Sequence, residues 1–307
     1  MLYDGLLLGL LALGGAGLVL FPAESAEAAR EGLALCLETV LPSLFPFFVL
    51  SSLLVQSRAP RLLSRALAGF MRPLFGVSGA GASALALGLL GGYPVGARTV
   101  AELYGRGEVR RDEAEQLLTF CNNSGPGFFL GVCGTTVFGS ARVGAYLYLI
   151  HVLSAFGTGI LLRRSLEPPR GRTSAGRGAP FDLAAAFPAA VQESFSAVWS
   201  VCGFVVLFRV LLRLLTLLPV LAGLPVLPRA VLYGFVEMTN GVAGLPPTRA
   251  GFVLCAALMN WGGLSVQAQT RAMLASSGLS ARRCLLGKAV QAAFGVPLAL
   301  LAAGRLF

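Results

Sequence analysis

Charged residues are scarce in this chain of 307 residues. Only 12% of its residues are Asp, Glu, Lys or Arg and 56% are hydrophobic, whereas a soluble domain carries roughly 25% charged residues. The mean hydropathy is +0.77. Because so few polar side chains cannot cover a soluble domain of this length, the surplus apolar surface must face lipid. The composition therefore predicts a polytopic membrane protein built from α-helices.

Side chains suited to catalysis or metal binding are also scarce. The only histidine is His151, in the apolar run LYLIHVLS, and the six cysteines are scattered without the spacing of a metal site. Gly91 and Gly96 have the spacing of a phosphate-binding loop, but Ala97 stands where that loop needs a lysine. We therefore predict no enzyme activity, no metal and no cofactor, and we expect His151 to be packed in the core.

The net charge of +10 comes from arginines that are grouped between apolar runs. Two groups are clear, Arg58, Arg61, Arg65 and Arg72, and Arg163, Arg164, Arg170, Arg172 and Arg177. Such groups are typical of the cytoplasmic loops that set membrane topology. No aromatic residues alternate with them as in a nucleic-acid-binding surface. The charge thus predicts contact with membrane lipid and no nucleic-acid partner.

The apolar segments predict where the chain divides. They lie at about 5–21, 41–56, 80–104, 113–139, 143–162, 196–222, 229–244, 250–275 and 284–303, and several are too short or too broken for plain spans of about 20 residues. Residues 23–40 and 61–72 are amphipathic, which favours the membrane surface. We predict an N-terminal span and interfacial segment (1–33), a first repeat (34–162), an Arg-rich linker (163–180) and a second repeat (181–307).

An internal repeat supports this division. At an offset of 171 residues, GGYPVGARTVAELYGRGEVRR (91–111) aligns without a gap with GGLSVQAQTRAMLASSGLSAR (262–282), and nine of 21 positions are identical. The identical pairs are Gly91/Gly262, Gly92/Gly263, Val95/Val266, Ala97/Ala268, Thr99/Thr270, Ala101/Ala272, Leu103/Leu274, Gly107/Gly278 and Arg111/Arg282. Repeated helix breakers in apolar segments are typical of secondary transporters. We predict two re-entrant helical hairpins with tips at 91–97 and 262–269.

The first tip combines glycines and a proline with an aromatic ring. Its candidate site residues are Gly92, Tyr93, Pro94, Val95 and Gly96. The helix that follows presents its N-terminal N–H groups toward the middle of the membrane, which suits an anion. The alternative is a Gly/Pro kink in an ordinary packed span.

A polar group interrupts the apolar segment TFCNNSGPGFFLG (119–131). It consists of Asn122, Asn123 and Ser124, followed by Pro126, which frees a backbone carbonyl one turn back. Amides and freed carbonyls can coordinate a substrate or a cation such as Na⁺ or H₃O⁺. The alternative is a set of hydrogen bonds that holds helices together.

The second half contributes an acid and neutral polar groups. Glu237, with Thr239 and Asn240, lies in YGFVEMTNGVAG, and an ionisable residue inside a membrane segment is a functional hypothesis by default. It could carry a coupling proton or, when protonated, donate a hydrogen bond to a carboxylate; the alternative is a solvated position near an interface. The second tip offers four further candidates, Gly263, Ser265, Gln267 and Gln269.

Four motifs, in this order, resemble the sporulation integral membrane protein family known as YlbJ or SpoVV. They are LPSLFPFFVLSSLL (41–54), GGYPVGARTVAELY (91–104), TFCNNSGPGFFLGV (119–132) and WGGLSVQAQ (261–269). The family's core is the nucleoside-recognition (Gate) domain, which is distantly similar to concentrative nucleoside transporters. The resemblance implies inverted repeats. It also implies transport of dipicolinic acid from the mother cell of an endospore-forming bacterium across the membrane that surrounds the forespore.

The resemblance also bears on individual residues. Nucleoside transporters hold ribose hydroxyls with an acid in a broken helix, which Glu237 matches, and with polar or acidic groups at the first hairpin. Here the first tip has only Tyr93 and Pro94 at its turn, and this departure argues against a nucleoside. Tyr93 could stack on the pyridine ring of dipicolinate.

The sequence thus predicts a secondary transporter for a small aromatic dicarboxylate in the outer forespore membrane. Alternatives are a carrier of nucleosides or other organic anions, and a membrane receptor or assembly factor that binds a ligand without moving it. The coupling ion, Na⁺ or H⁺, and a homo-oligomeric state stay open at this point.

Overall fold

The computed structural model describes residues 12, 14–57, 59–164, 182–217 and 223–307, and these residues form helices, turns and irregular segments without any strand. Beyond helix at 14–20, the elements are α1 (Pro22–Leu35), a π-helical turn (Cys36–Val40), α2 (Leu41–Gln56), α3 (Ala59–Phe75), α4 (Gly81–Gly91), α5 (Val95–Gly105), α6 (Arg111–Leu117), a π-helix (Phe128–Val137), α7 (Ala141–Leu161), α8 (Leu183–Thr216), α9 (Val226–Val236), α10 (Met238–Ala243), α11 (Arg249–Trp261), α12 (Gly263–Leu274) and α13 (Arg282–Leu306).

Within the described residues, five stretches of helix are long and apolar enough to cross a membrane. They are Pro22–Leu54, Ala141–Leu161, Leu183–Thr216, Arg249–Leu274 and Arg282–Leu306. Large apolar side chains on their outer faces are about half exposed, among them Phe195, Trp199 and Leu207 on α8. A soluble protein would bury such side chains, so they mark the surface that faces lipid. The predicted all-α polytopic membrane fold is confirmed.

The N-terminal helix differs from its prediction as a surface segment. Residues 23–40 continue through the π-helical turn into α2, so they form the first half of one long apolar helix. Their acidic residues pair with arginines of α8: Glu31 accepts from Arg209 at 2.7 Å, and Glu27 lies 3.9 Å from Arg213. The polar positions that make this segment amphipathic therefore face another helix. Most of the predicted linker, from residue 165 onward, and residues 1–11 of the predicted N-terminal span lie outside the described residues.

Helices are interrupted where the sequence places its breakers. α4 and α5 are joined by Gly92–Pro94 and pack side by side, with Gly88 against the backbone of Gly96. Residues 121–125 are irregular, and Glu237 is extended between α9 and α10, which also pack side by side. α11 and α12 meet at Gly262, where α11 packs on α13 and α7 while α12 packs on α5 and α9.

Glycines at equivalent positions of the predicted repeat share an unusual backbone conformation. Gly92 and Gly263 have φ of 75° and 78°, and Gly107 and Gly278 both have φ of 68°. Positive φ is accessible to glycine at little cost and strained for other residues. The two aligned segments thus share local geometry at both positions, and the repeat-related helices α5 and α12 contact each other. An inverted relation between the halves, and re-entry of the hairpins, stay predictions.

Candidate functional site

The four helix interruptions meet at one place. A Cβ atom on Gly92 would lie 2.9 Å from the Gly125 nitrogen, and one on Gly263 would lie 3.0 Å from the Met238 nitrogen. The hydroxyl of Tyr93 is 3.0 Å from the position of a Cβ on Gly262. The backbones are thus in contact, and contact this close is open only to glycine. The two tips and the two broken segments therefore lie together at one junction.

A partly open pocket lies at this junction. Its wall is mostly apolar, with contributions from α2, the first tip, the 121–127 segment, Glu237 and α12. Six of the predicted site residues line it: Gly92, Tyr93, Ser124, Glu237, Thr239 and Gln269. An apolar wall with a few convergent polar groups is the usual composition of a small-molecule site.

Glu237 caps the short helix α10. Its Oε2 accepts hydrogen bonds from the Asn240 backbone N–H at 2.7 Å and from the Asn240 side-chain amide at 3.0 Å. A carboxylate that caps a helix N-terminus satisfies otherwise unpaired N–H groups and the positive end of the helix dipole. The Asn240 amide also donates to the Val205 carbonyl on α8. Asn240 therefore supports Glu237 from behind the pocket.

Asn122 joins the first tip to the second half of the chain. Its Oδ1 accepts from the Ala97 N–H in the first turn of α5 at 3.3 Å, and its Nδ2 donates to the Thr270 hydroxyl on α12 at 2.9 Å. The Val95 N–H is bonded to the Gly92 carbonyl. Two of the first-turn donors that the sequence offered to an anion are thus already bonded within the protein.

Asn123 and Ser124 are held by α7 and α13. The Asn123 Oδ1 accepts from Gln291 at 3.1 Å, and the Ser124 N–H donates to the Nε2 atom of His151 at 3.2 Å. Since Nε2 accepts, the proton of the neutral ring is on Nδ1, which lies 2.8 Å from the Asn260 Oδ1 and donates to it. The expectation of a buried, packed His151 is met, and the ring also fixes the backbone beside the pocket.

Lys288 on α13 is a polar residue near the pocket that was not among the site residues predicted from sequence. The side chain is completely buried. Its Nζ donates to the Gln291 Oε1 at 2.7 Å, lies 3.4 Å from the Asn123 Oδ1, and is 5.2 Å from the centroid of the Tyr93 ring. The signal was available, because Lys288 lies in the apolar segment 284–303, where an ionisable residue indicates function by default.

Several buried polar atoms near the tips have no hydrogen-bond partner within the described part of the chain. They include the Tyr93 hydroxyl, the Asn240 Oδ1, the Ser265 hydroxyl and the Gln267 Nε2. A buried polar group without a partner costs about 1–3 kcal/mol. Tyr93 lines the pocket, so a polar ligand there would supply its hydroxyl with the missing partner.

The other predicted residues support this site from outside the pocket. Pro94, Val95 and Gly96 begin α5, with Gly96 against the Cys121 carbonyl, and Gly263 lies against the backbone around Glu237. Arg98, in the first turn of α5, pairs with Glu102 at 3.0 Å on the exposed side of that helix. Among the described residues, no group of three or more His, Cys, Asp or Glu side chains could hold a metal ion.

These features define a helical integral membrane protein with a mostly apolar pocket that contains a few polar groups, where broken helices meet. Residues 37–158 match a protein family model named Gate, described as nucleoside recognition. The chain is 28% identical over 317 residues to the sporulation integral membrane protein YlbJ of Bacillus subtilis, in an alignment that covers 91% of this chain and 78% of that protein. The resemblance to this sporulation family, predicted from four motifs, is thereby confirmed.

A solved structure is also similar in outline. CNTnw in an inward-facing substrate-bound state aligns with 98% of this chain and 84% of its own, with a TM-score of 0.46 and 16% sequence identity. Similarity at this level does not transfer a substrate.

Proposed function

We propose that this protein is a secondary transporter that moves a small aromatic dicarboxylate, dipicolinate, across a membrane around the forespore, from the mother cell toward the spore. The observation that carries the proposal is the pocket at the junction of the four helix interruptions, lined by Tyr93 and by polar groups from both halves of the chain. Broken helices that meet at one site are typical of secondary transporters. The sporulation relative supplies the physiological setting.

The chemistry of the pocket favours an aromatic solute with hydrogen-bonding groups. Tyr93 offers a ring for stacking, which contributes about 0.5–1.5 kcal/mol beyond burial of the same area. The Tyr93 hydroxyl is a donor without a partner among the described residues, and a carboxylate oxygen accepts from such a group. Glu237 is the one carboxylate in the pocket wall, and its Oε2 is already occupied by Asn240.

Uptake of labelled dipicolinate into proteoliposomes tests the proposal. We expect saturable uptake above the level of empty liposomes, measured under a Na⁺ gradient, a pH gradient and no gradient. Uptake that stays at the empty-liposome level in all three conditions would contradict a transporter for this substrate. If binding is measurable in detergent while uptake is absent, the protein is a receptor that does not move its ligand. Competition by excess uridine would favour a nucleoside carrier.

Two tyrosines provide a matched pair of variants for locating the site. Tyr93→Leu removes the ring from the pocket wall, so we expect the dipicolinate concentration at half-maximal uptake to rise by about 2- to 12-fold, as the loss of stacking predicts. Tyr104→Leu makes the same change on α5 outside the pocket wall, and its half-maximal concentration should match that of the unmodified protein. Equal effects of both variants would mean that dipicolinate does not use this pocket.

A further inference from the structure

Lysine occurs once in this chain. Of the 24 basic residues, 23 are arginine and the remaining one is Lys288. The arginines that the structure describes lie at surfaces and helix ends, as in the pairs on α5 and α8, whereas Lys288 is completely buried in α13. Among the described lysine and arginine residues, Lys288 is the only one that is buried.

The surroundings of Lys288 are polar and uncharged. Its Nζ donates to the Gln291 Oε1 at 2.7 Å, has the Asn123 Oδ1 at 3.4 Å, and lies over the Tyr93 ring. No carboxylate forms an ion pair with it among the described residues. The titratable groups that face it are Tyr93, His151 and two buried thiols, Cys121 and Cys284. A fixed ammonium charge in such a place has a large desolvation cost that no ion pair offsets.

Lysine and arginine differ in one respect that matters here. A guanidinium keeps its proton under all conditions in a protein, whereas an amine can lose its proton and regain it. His151 is the only other basic side chain in the same network, since the Gln291 amide lies near both groups. Its ring nitrogens are both engaged, one by the Ser124 N–H and the other by Asn260. Lys288 is thus the group in this network whose charge can change without the loss of a hydrogen bond to the backbone.

Lys288 is also connected to the pocket. Tyr93, whose ring lies beneath the Nζ atom, lines the pocket, and Asn123 precedes the pocket residue Ser124. An anionic solute bound against Tyr93 and Ser124 would therefore act on the charge of the nearby amine, without any movement of these groups relative to Lys288. Occupancy of the pocket and protonation of Lys288 would be coupled through this electrostatic interaction.

We infer that Lys288 takes up and releases the proton that couples the transport of an anionic substrate to a proton gradient. The inference rests on the proposed function and specifies its coupling ion. On the side with more protons, the amine takes a proton from H₃O⁺ and leaves water; on the other side, the ammonium returns the proton to water. The ammonium compensates one carboxylate charge while the anion is inside, which lowers the cost of carrying it across the membrane.

The experiment compares two measurements on the same proteoliposomes. The first is exchange of labelled external dipicolinate for unlabelled internal dipicolinate, which needs no net proton movement. The second is accumulation driven by a pH gradient of one unit, with the membrane potential held at zero and empty-liposome uptake subtracted. One proton per anion permits at most about tenfold accumulation per pH unit. We expect Lys288→Met and Lys288→Gln to keep measurable exchange and to show no accumulation beyond equal concentrations.

Arg98→Met is the matched control, since it removes a cation from the exposed side of α5 and should accumulate dipicolinate like the unmodified protein. Lys288→Arg is a second, independent test, because the guanidinium keeps its charge permanently. We expect this variant to lose accumulation as well. The inference is overturned if Lys288→Met still accumulates dipicolinate. Loss of accumulation in His151→Gln or Glu237→Gln would in that case assign the coupling proton to that residue. The inference is equally overturned if all Lys288 variants lose exchange together with accumulation, as a purely structural role predicts. If the unmodified protein shows neither exchange nor uptake, the proposed function itself has failed.

Discussion

Asn122 is the side chain whose removal should most directly loosen the first tip. It is completely buried, accepts from the Ala97 N–H in the first turn of α5, and donates to the Thr270 hydroxyl on α12. Asn122→Ala deletes both bonds and leaves the Ala97 N–H buried without that partner. The change therefore removes the link between α5 and α12, the two helices that the repeat alignment pairs at an offset of 171 residues.

The size of the effect follows from these two bonds. A buried donor without a partner costs about 1–3 kcal/mol, and the net loss of the amide to hydroxyl bond costs about 0.5–1.5 kcal/mol. Thr270 keeps its own bond to the Val266 carbonyl at 2.8 Å, so its hydroxyl proton stays satisfied. We expect the free energy of unfolding to fall by about 2–4 kcal/mol, a large part of the 5–15 kcal/mol typical of folded proteins.

A double-mutant cycle isolates the bond between the two halves. The free energy of unfolding is measured in mixed micelles by titration with a denaturing detergent, for Asn122→Ala, Thr270→Val and the double variant. We expect a coupling energy of at least about 0.5 kcal/mol, as for residues in direct contact. Thr99→Val is the control, because the Thr99 hydroxyl bonds only the Val95 carbonyl of its own helix. A coupling energy near zero for Asn122 with Thr270, or one equal to that with Thr99, would refute the reasoning.

Two further predictions concern the backbone contacts and the acid. Gly96→Ala places a Cβ against the Cys121 carbonyl oxygen, where neither backbone can give way. We therefore expect the free energy of unfolding, measured by the same titration, to fall by at least about 2 kcal/mol, or no folded protein to form. An unchanged free energy of unfolding would contradict this packing. Glu237→Ala removes the cap of α10 and should cost about 0.5–2 kcal/mol, whereas Glu237→Gln keeps an oxygen that can accept from the Asn240 N–H and should cost less. Equal losses for both variants would argue against the capping role.

Helix breakers made the architecture predictable from sequence. Glycine and proline in apolar segments have few structural explanations, so the positions of the breaks at 92–94, 121–125 and 262 follow from the residues themselves. The repeat alignment then indicated which breaks correspond, and Gly92 and Gly263 indeed have nearly the same φ.

The roles of individual polar residues were less predictable. Asn122 and Asn123 differ by one position, yet Asn122 bonds α5 and α12 while Asn123 faces α13. The composition of this polar group does not show which amide meets which helix, because the partners on α12 and α13 are more than 140 residues away. Glu237 was expected to handle a proton or a ligand, and its capping of α10 depends on an extended backbone that the sequence alone does not specify.

Lys288 was missed for a different reason. A charged residue near the end of an arginine-containing stretch resembles the many arginines that lie at membrane surfaces, so its position alone does not predict a functional role. The informative feature was its residue type, the one lysine among 24 basic residues. Differences between lysine and arginine should therefore be considered separately from charge when membrane sequences are interpreted.

The glycine contacts around residues 119–125 have a mechanical consequence. Gly88 and Gly96 lie against the Cys121 carbonyl, Gly92 against Gly125, and Gly287 against the Thr119 carbonyl. Bare backbones in contact have no rotamers to adjust, so such contacts either persist or separate completely. We expect the first hairpin, this segment and the start of α13 to travel as one rigid body, with Lys288, the residue after Gly287, carried inside it. This rigid body would then move against the rest of the protein at a contact formed by a side chain, where the ring of Tyr93 meets the second tip.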